Sequence, residues 1–454
     1  PLGHKTQMTY DTNGNCVSLT EPDGSKTTYA YDSNDRIIRE EDAEGLVTEY
    51  SYDKNGMLTR RKDNAGTDER YAYDASGQLL GETDSLGQRT AYTYDIQGNL
   101  ASVTEPDGNR TEYSYDEMGN VVRMTDPEGK VTDYRYDLNN QVISETDSGG
   151  RTYRYAYDAA GNLVKETDPL GNETSYEYDG AGNLIKTVDA AGNAHKFTYD
   201  AMSRLIGEED RNGHLTTYRY DALGNLKESI SPDNGKETYT YDAVGNLLTA
   251  TDAEGGKTAY TYDSLGRVIR QKMPEGGVYA YTYNRHGEVT SETEPEGQKT
   301  SYAYDLADRL IKEEDPEGAV FTYRYDALGR VIEEKSPNNL KNEYVYDRSG
   351  NLIRETDQSG RSYTYRYDKM HRLTESTDPL GQKTKYAYDK NGNLSEVSTP
   401  MGYKTSYAYD ALDRIKTQSE ADGSRMSLDY DAMGNVTGIT ENGKRKTSYT
   451  YDAL

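Results

Sequence analysis

Between residues 110 and 115 polar and packing positions alternate. Arg110, Glu112 and Ser114 fall on one face of an extended segment, and Thr111, Tyr113 and Tyr115 on the other. That period of two predicts a strand with one packed and one solvated face. A second run, Val121-Val122-Arg123-Met124-Thr125, is less clean, with apolar residues at adjacent positions as in Ile37-Ile38 and Val331-Ile332. It predicts a strand presenting some apolar surface on both faces. The two runs are joined by Asp116-Glu117-Met118-Gly119 and followed by Asp126-Pro127-Glu128-Gly129. An acid at the first position and Gly at the fourth predict type I turns, with Pro pre-set for the second position of the later one. The Asp carboxylate can accept backbone N–H bonds inside the turn. Turn formers recur too closely for a helix.

The pattern repeats without insertion or deletion. Twenty-two Tyr-Asp pairs, from Tyr10-Asp11 through Tyr31-Asp32, Tyr115-Asp116 and Tyr178-Asp179 to Tyr451-Asp452, are spaced 21 residues apart, and only Tyr283-Asn284 lacks the Asp. Two residues before each pair stands another tyrosine, such as Tyr29, Tyr113 or Tyr176, in 19 of 22 units. The exceptions are Met8, Phe197 and Leu428. All three are apolar, so this slot needs bulk and its hydroxyl is dispensable. Gly14, Gly119 and their counterparts follow three residues after the Asp, replaced at Asp35, Asn140, Ser203, Asp308, His371 and Asp413. Most of these types tolerate positive φ best after glycine. Five residues after the Asp the side chain is always apolar, as at Val121; Cys16 fills the slot in the first unit as a small hydrophobe. All 12 prolines, Pro1 and Pro127 among them, occupy the second turn. Gly129 marks that turn's last position, where Asn234, Asn339 and Lys444 are the departures.

The expected fold is all-β: antiparallel 21-residue hairpin units in one continuous curved sheet that spirals into a hollow superhelix or shell. Residues 1–454 form a single array of about 22 units and are expected to belong to a longer protein. About 44 strands at ~4.8 Å give a ribbon of roughly 210 Å. Twist forbids a flat sheet of that length. A single ring would be about 65–70 Å across at that strand spacing; a spiral of tighter turns would be narrower and would stack strand edges or hairpin ends.

Composition narrows the function. The 45 tyrosines against 2 Phe and no Trp suit a wall one sheet thick, since the ring packs while the hydroxyl tolerates water or bonds a carboxylate. A formal charge of −27 with scattered cations offers no footprint for nucleic acid. One Cys excludes an intrachain disulfide, and no apolar run is long enough to span a membrane. No nucleotide loop is present and no cofactor is expected. His4, His195, His214, His286 and His371 lie in separate units, without a metal or catalytic spacing. The Asp-Pro-Glu-Gly turns could stack into a calcium-binding ladder, with solvated turn capping as the plainer reading. Sequon matches such as Asn109-Arg110-Thr111 are within chance for so many Asn and Thr residues. An active site must break a repeat, and the deviations here are mild and scattered, so no enzyme is expected.

Units such as Tyr113-Ser114-Tyr115-Asp116 with Gly119 and Val121, followed by Asp126-Pro127-Glu128-Gly129, resemble the YD repeat of Rhs proteins, found also in toxin-complex B/C components, wall-associated proteins and teneurins. The resemblance runs from Leu2 to Asp452. It implies a bacterial, secreted or cell-surface parent protein and a hollow shell that encloses or presents a C-terminal toxin or effector domain of the same polypeptide. The family's C-terminal core-associated segment and variable toxin domain are not in this sequence. The alternatives are a carbohydrate-binding or adhesion surface for a cell-surface glycan or protein, built on the tyrosine ladders, and a structural spacer without cargo.

Overall fold

Two turns per unit, of one kind, build the molecule. In the first, the Gly14 amide donates to the Asp11 carbonyl at 3.2 Å and the Asp11 amide to the Asn15 carbonyl at 3.0 Å. In the second, Gly24 donates to Glu21 at 2.9 Å and Glu21 to Ser25 at 2.8 Å. Both are type I turns closed by a residue with positive φ, the hairpin that joins antiparallel strands through three residues. All six residues that replace the first-turn glycine adopt the left-handed conformation, from Asp35 at φ 57° to Asn140 at 62°. Asn234 and Asn339 do the same in the second turn. Lys444 does not. There the reversal moves to Asn442 and Gly443, both with positive φ, and the Lys444 amide bonds the Glu441 carbonyl at 3.0 Å.

The computed structural model describes residues 5–452; Pro1, Leu2 and His4, named above, lie outside the described residues. It holds 43 strands, β1 (Gln7–Tyr10), β2 (Cys16–Thr20), β3 (Lys26–Tyr31), β4 (Ile37–Glu41), β5 (Val47–Tyr52) and so on to β43 (Arg445–Ser448). Each pairs antiparallel with its sequence neighbours in one open sheet. Among the described residues there is no helix, and so none long and apolar enough to cross a membrane.

The register explains the adjacent apolar pairs more specifically than a two-faced strand. Between β3 and β4, Tyr29 faces Glu40 and Ala30 faces Arg39, but Tyr31 faces Ile37. Ile38 is therefore an extra residue, a β-bulge, and the shift recurs at the same place in unit after unit, as at Tyr115 opposite Val121. A bulge bends its strand and adds twist. One bulge per unit thus gives a constant curvature to the ribbon.

The ribbon coils on itself. The Arg285 side chain reaches the Ala43 carbonyl 242 residues back, Ser349 reaches Asp107 across the same separation, and Lys390 reaches the Gly149 carbonyl across 241. In each case the tip of an acid–Pro-type turn meets the tip of a Tyr-Asp turn. A separation of 242 residues is eleven units plus one strand, or about 23 strands per winding, and the chain completes roughly two windings. At ~4.8 Å per strand the wall is about 35 Å across, and with ~5 Å of side chain on its inner face about 25 Å remains clear. No apolar side chain is buried among the described residues. The wall is one sheet thick and has no separate core.

Candidate functional site

The tyrosine of most Tyr-Asp pairs makes a bond that only its hydroxyl can make. Tyr31 donates to the Cys16 carbonyl at 2.8 Å, Tyr115 to Leu100 at 2.8 Å and Tyr178 to Leu163 at 3.0 Å, always fifteen residues back. The bond forms in 18 of the 21 tyrosines that have a preceding unit. Its origin is the bulge. The ladder from β4 to β5 begins at Arg39, two residues into β4, and the Ile37 carbonyl is taken instead by the Tyr52 hydroxyl at 2.8 Å. Phe cannot make that bond, and no Phe occupies the slot in any unit. Burial holds the Tyr115 phenol above its ordinary 10.0. At the exposed end of the sheet Tyr10 points instead to the Met8 sulfur.

The other tyrosine of each unit is less constrained. Tyr92 donates to Glu82 at 2.7 Å and Tyr344 to Glu334 at 2.9 Å, and burial followed by the Glu bond pushes both phenols up to about 12. Tyr176 bonds Glu166 only at 3.5 Å. In the Phe197 and Leu428 units the slot holds no hydroxyl. Tyr29 and Tyr113 lie on the same half-buried face as these.

The turn carboxylates are internal caps. Oδ1 of Asp116 accepts the Met118 and Asn120 amides, each at 2.9 Å, while Oδ2 takes the Asn120 side chain at 3.0 Å. Asp179 repeats this with Ala181 and Asn183, and Asp32 with Asn34 and Arg36. Hydrogen bonds from Asn120, Asn183 and Arg36 hold the three carboxyls below their ordinary 3.8. Asp126 caps the second turn through the Glu128 and Lys130 amides, with Pro127 ahead of them and Gly129 closing it at φ 81°.

Sequence reasoning missed the residue four after the Asp. At all seven units where it is Arg, the guanidinium lies over the tyrosine of the next Tyr-Asp pair, as Arg36 over Tyr52 at 4.7 Å. Arg36 also bonds Asp32 at 2.8 Å and the Asp53 carbonyl at 3.3 Å. One side chain ties its own turn to the next. The signal was present, since this position is almost confined to Asn, Arg and Gln.

Coiling brings together residues that the sequence scatters. His286 lies between Asp42, at 2.9 Å on Nε2, and Asp308, at 2.6 Å on Nδ1. Burial alone would lower its pKa, but the bond and charge of Asp308 and the charges of Asp42 and Glu44 outweigh it, and the imidazole stands above its ordinary 6.5. The Arg285 amide beside it donates to Glu44 at 2.7 Å. Arg372 pairs with Glu128 at 2.6 Å, and Arg151 with Asp413 at 2.5 Å. His371 reaches Glu105 at 2.9 Å, and with Asp107 these form the one group among the described residues placed to hold a metal ion. Each of its members already has a protein partner: Glu105 and His371 bond each other, His371 meets Asn351 and Asp107 takes the Ser349 hydroxyl. His195 stacks on Phe197 and meets Glu208 at 2.9 Å, and His214 bonds the Asp210 of its own turn. A cavity of about 360 Å³ opens at the seam between Arg211 and Ala191 below and Asp431 and Met433 above.

Comparison with known proteins agrees with this architecture. The family model described as Teneurin YD-shell matches residues 3–85, 83–217 and 211–340, and that described as RHS Repeat matches residues 346–387 and 388–425. Among solved structures, a crystal structure of TcdB2-TccC3-TEV is similar with a TM-score of 0.57 at 16% identity, covering 98% of this chain and 28% of its own. One of TcdB2-TccC3 gives 0.53 at 16%, covering 96% and 30%. A Tc holotoxin pore from Photorhabdus luminescens gives 0.53 at 16%, covering 96% and 29%. At this identity the likeness shows the fold. The chain spans less than a third of the length of these structures. A search of curated proteins finds no match. With a YD-shell match running almost unbroken from residue 3 to 340 and Rhs repeats beyond it, on a wall of tyrosine-bonded hairpins, the chain belongs to the Rhs/YD-repeat family.

Proposed function

We propose that this chain is a non-catalytic shell that holds a segment of its parent polypeptide inside a closed wall. The observation that carries the reading is the seam. Tip-to-tip contacts at separations of 241–244 residues turn a ribbon into a tube. The clear width of about 25 Å, from strand spacing and side-chain depth, decides what such a tube suits. A helix about 10–12 Å thick passes easily. A compact 100-residue domain, with a radius of gyration of about 13 Å, does not. The contents are therefore an extended or helical chain, a toxin or effector segment held unfolded, and the parent protein acts outside the cell that makes it.

The test is protease protection. An unstructured polypeptide carrying cleavage sites is fused after Leu454, and its digestion is compared in the parent sequence and in a seam variant, Arg285→Glu with Arg372→Glu. The fused segment should survive in the first and be cut in the second. Equal cleavage in both would reject enclosure. The glycan-binding alternative ranks second because most Tyr-Asp hydroxyls are spent on main-chain carbonyls, which leaves fewer polar groups for a sugar.

A further inference from the structure

Several contacts across the seam set an acid against an arginine, as in Asp23 with Arg267, Glu128 with Arg372 and Asp413 with Arg151. At one point two acids meet a histidine instead. Glu105 and Asp107 stand on one acid–Pro turn, and His371 on the Tyr-Asp turn that faces it from the other winding. Among the described residues neither acid pairs with a lysine or an arginine. The adjoining Arg372 is taken up by Asp368 and Glu128.

The three side chains converge. One donor atom from each lies within 4.8 Å of the other two, and Nε2 of His371 is 2.9 Å from the Glu105 carboxylate. Ligand atoms bonded at ~2.0–2.2 Å to one ion stand about 3–4 Å apart, so little movement seats an ion among these. The acids are already oriented for it. Asp107 accepts the Asn109 amide at 2.9 Å, the Asn109 side chain at 2.7 Å and the Ser349 hydroxyl at 2.6 Å, bonds that fix its direction and leave an acceptor site open. Because Asp107 caps this turn, Glu105 has no turn amide to serve, whereas Asp126 at the same position of the next acid–Pro turn accepts two. Nδ1 of His371 meets the Asn351 side chain at 3.0 Å, which holds the ring from behind. With an ion on Nε2 the ring proton sits on Nδ1, and Asn351 turns its oxygen to accept it, releasing its bond to Asp347. His286 differs: Asp42 and Asp308 grip opposite ring nitrogens, so its two acids do not converge on one.

We propose that Glu105, Asp107 and His371 bind a divalent transition-metal ion, of the class of zinc, cobalt or nickel, as a staple between the two windings. One imidazole with two carboxylates suits such ions better than calcium or magnesium, which take oxygen ligands. The ion's charge balances the two carboxylates in a chain whose formal charge is −27. The His371 and Glu105 side chains are 33% and 43% exposed, so water completes the coordination and the ion exchanges with solvent. Because the ligands come from both windings, the ion binds only where the seam is closed and stabilises that state by mass action. The site lies on the seam itself and stands whether or not the lumen holds a segment.

Titration of the chelator-treated 454-residue chain with cobalt, followed by calorimetry and visible absorption, checks this. The unmodified chain should take up one ion at a saturable site. His371→Asn removes the nitrogen ligand yet keeps the turn, since Asn140 holds the same position at φ 62°. Glu105→Gln spares the turn because Asp107 caps it. Each substitution should weaken binding about tenfold or more with circular dichroism unchanged. Cobalt should also slow hydrogen exchange in peptides spanning residues 105–109 and 368–372 of the unmodified chain, and not in the His371→Asn chain. Absence of a saturable site, a site that survives either substitution, or binding that slows exchange on one side of the seam alone would each overturn the proposal.

Discussion

At the scale of single residues, the two tyrosines of a unit differ in what they can lose. Tyr115→Phe removes the hydroxyl bond to the part-buried Leu100 carbonyl, a loss of about 1 kcal/mol. Tyr113→Phe should change the urea midpoint little, and the pair of variants measured side by side checks the difference. The sequence showed this asymmetry without its cause. Met8, Phe197 and Leu428 appear in one slot and nothing but Tyr in the other, yet a hydroxyl aimed at a main-chain carbonyl fifteen residues away leaves no local trace. Gly119 is a matter of conformation rather than space: a Cβ there would come no nearer than 3.7 Å to the Asn99 side chain, but φ is +85°. Gly119→Ala should cost about 1–2 kcal/mol, and Gly119→Asn less, since Asn140 already sits in the same place at φ 62°. Thermal melts of the two variants separate strain from crowding.

At the scale of the turn and the strand, most of the design was legible. The Asp-x-x-Gly and acid–Pro-x-Gly turns, the alternating strand ending in Tyr115 and the exclusion of proline from strands all follow from backbone chemistry alone. The bulge was not. Ile37-Ile38 looks like two faces of a strand in sequence and is one extra residue in space. The turn carboxylates give the element a pH signature. Asp32, Asp116 and Asp179 are held below 3.8 when folded, so their contribution is complete above that value and is lost as pH falls through their lowered values. The β-sheet signal in circular dichroism should persist down to the ordinary Asp range and collapse at more acid pH. Asp116→Asn, which keeps one acceptor and removes the charge, should flatten its own unit's share of that transition.

At the scale of the whole molecule, the winding was invisible because 242 is not a multiple of 21: a period in space that falls half a unit out of phase with the period in sequence leaves no repeat to find. The half unit has a geometric reason. The two kinds of turn lie on opposite edges of the ribbon, so tips can meet tips only if a winding contains an odd number of strands. The seam is also where pH acts above the ordinary histidine value. Asp42, Glu44, Asp308 and Arg285 surround His286, whose raised pKa means that its clasp is complete below about 6.5 and is released as pH rises through the higher folded value. Hydrogen exchange at the Arg285 amide, which donates to Glu44 across the seam, should quicken over that range beyond the ordinary base-catalysed rise. In His286→Gln the excess should vanish.

The wall is held by two bonds of unequal strength, and that inequality makes it a spring. Along the ribbon the strands are fastened by main-chain ladders, reinforced in most units by a tyrosine hydroxyl; across the seam isolated bonds at turn tips, each with a side chain on one side or both, hold one coil to the next. Tension applied to the two termini should therefore separate the coils at low force and recover on release, well before any hairpin unravels. In an optical trap, a soft reversible extension preceding a sawtooth of unit-sized ruptures would record the two in turn.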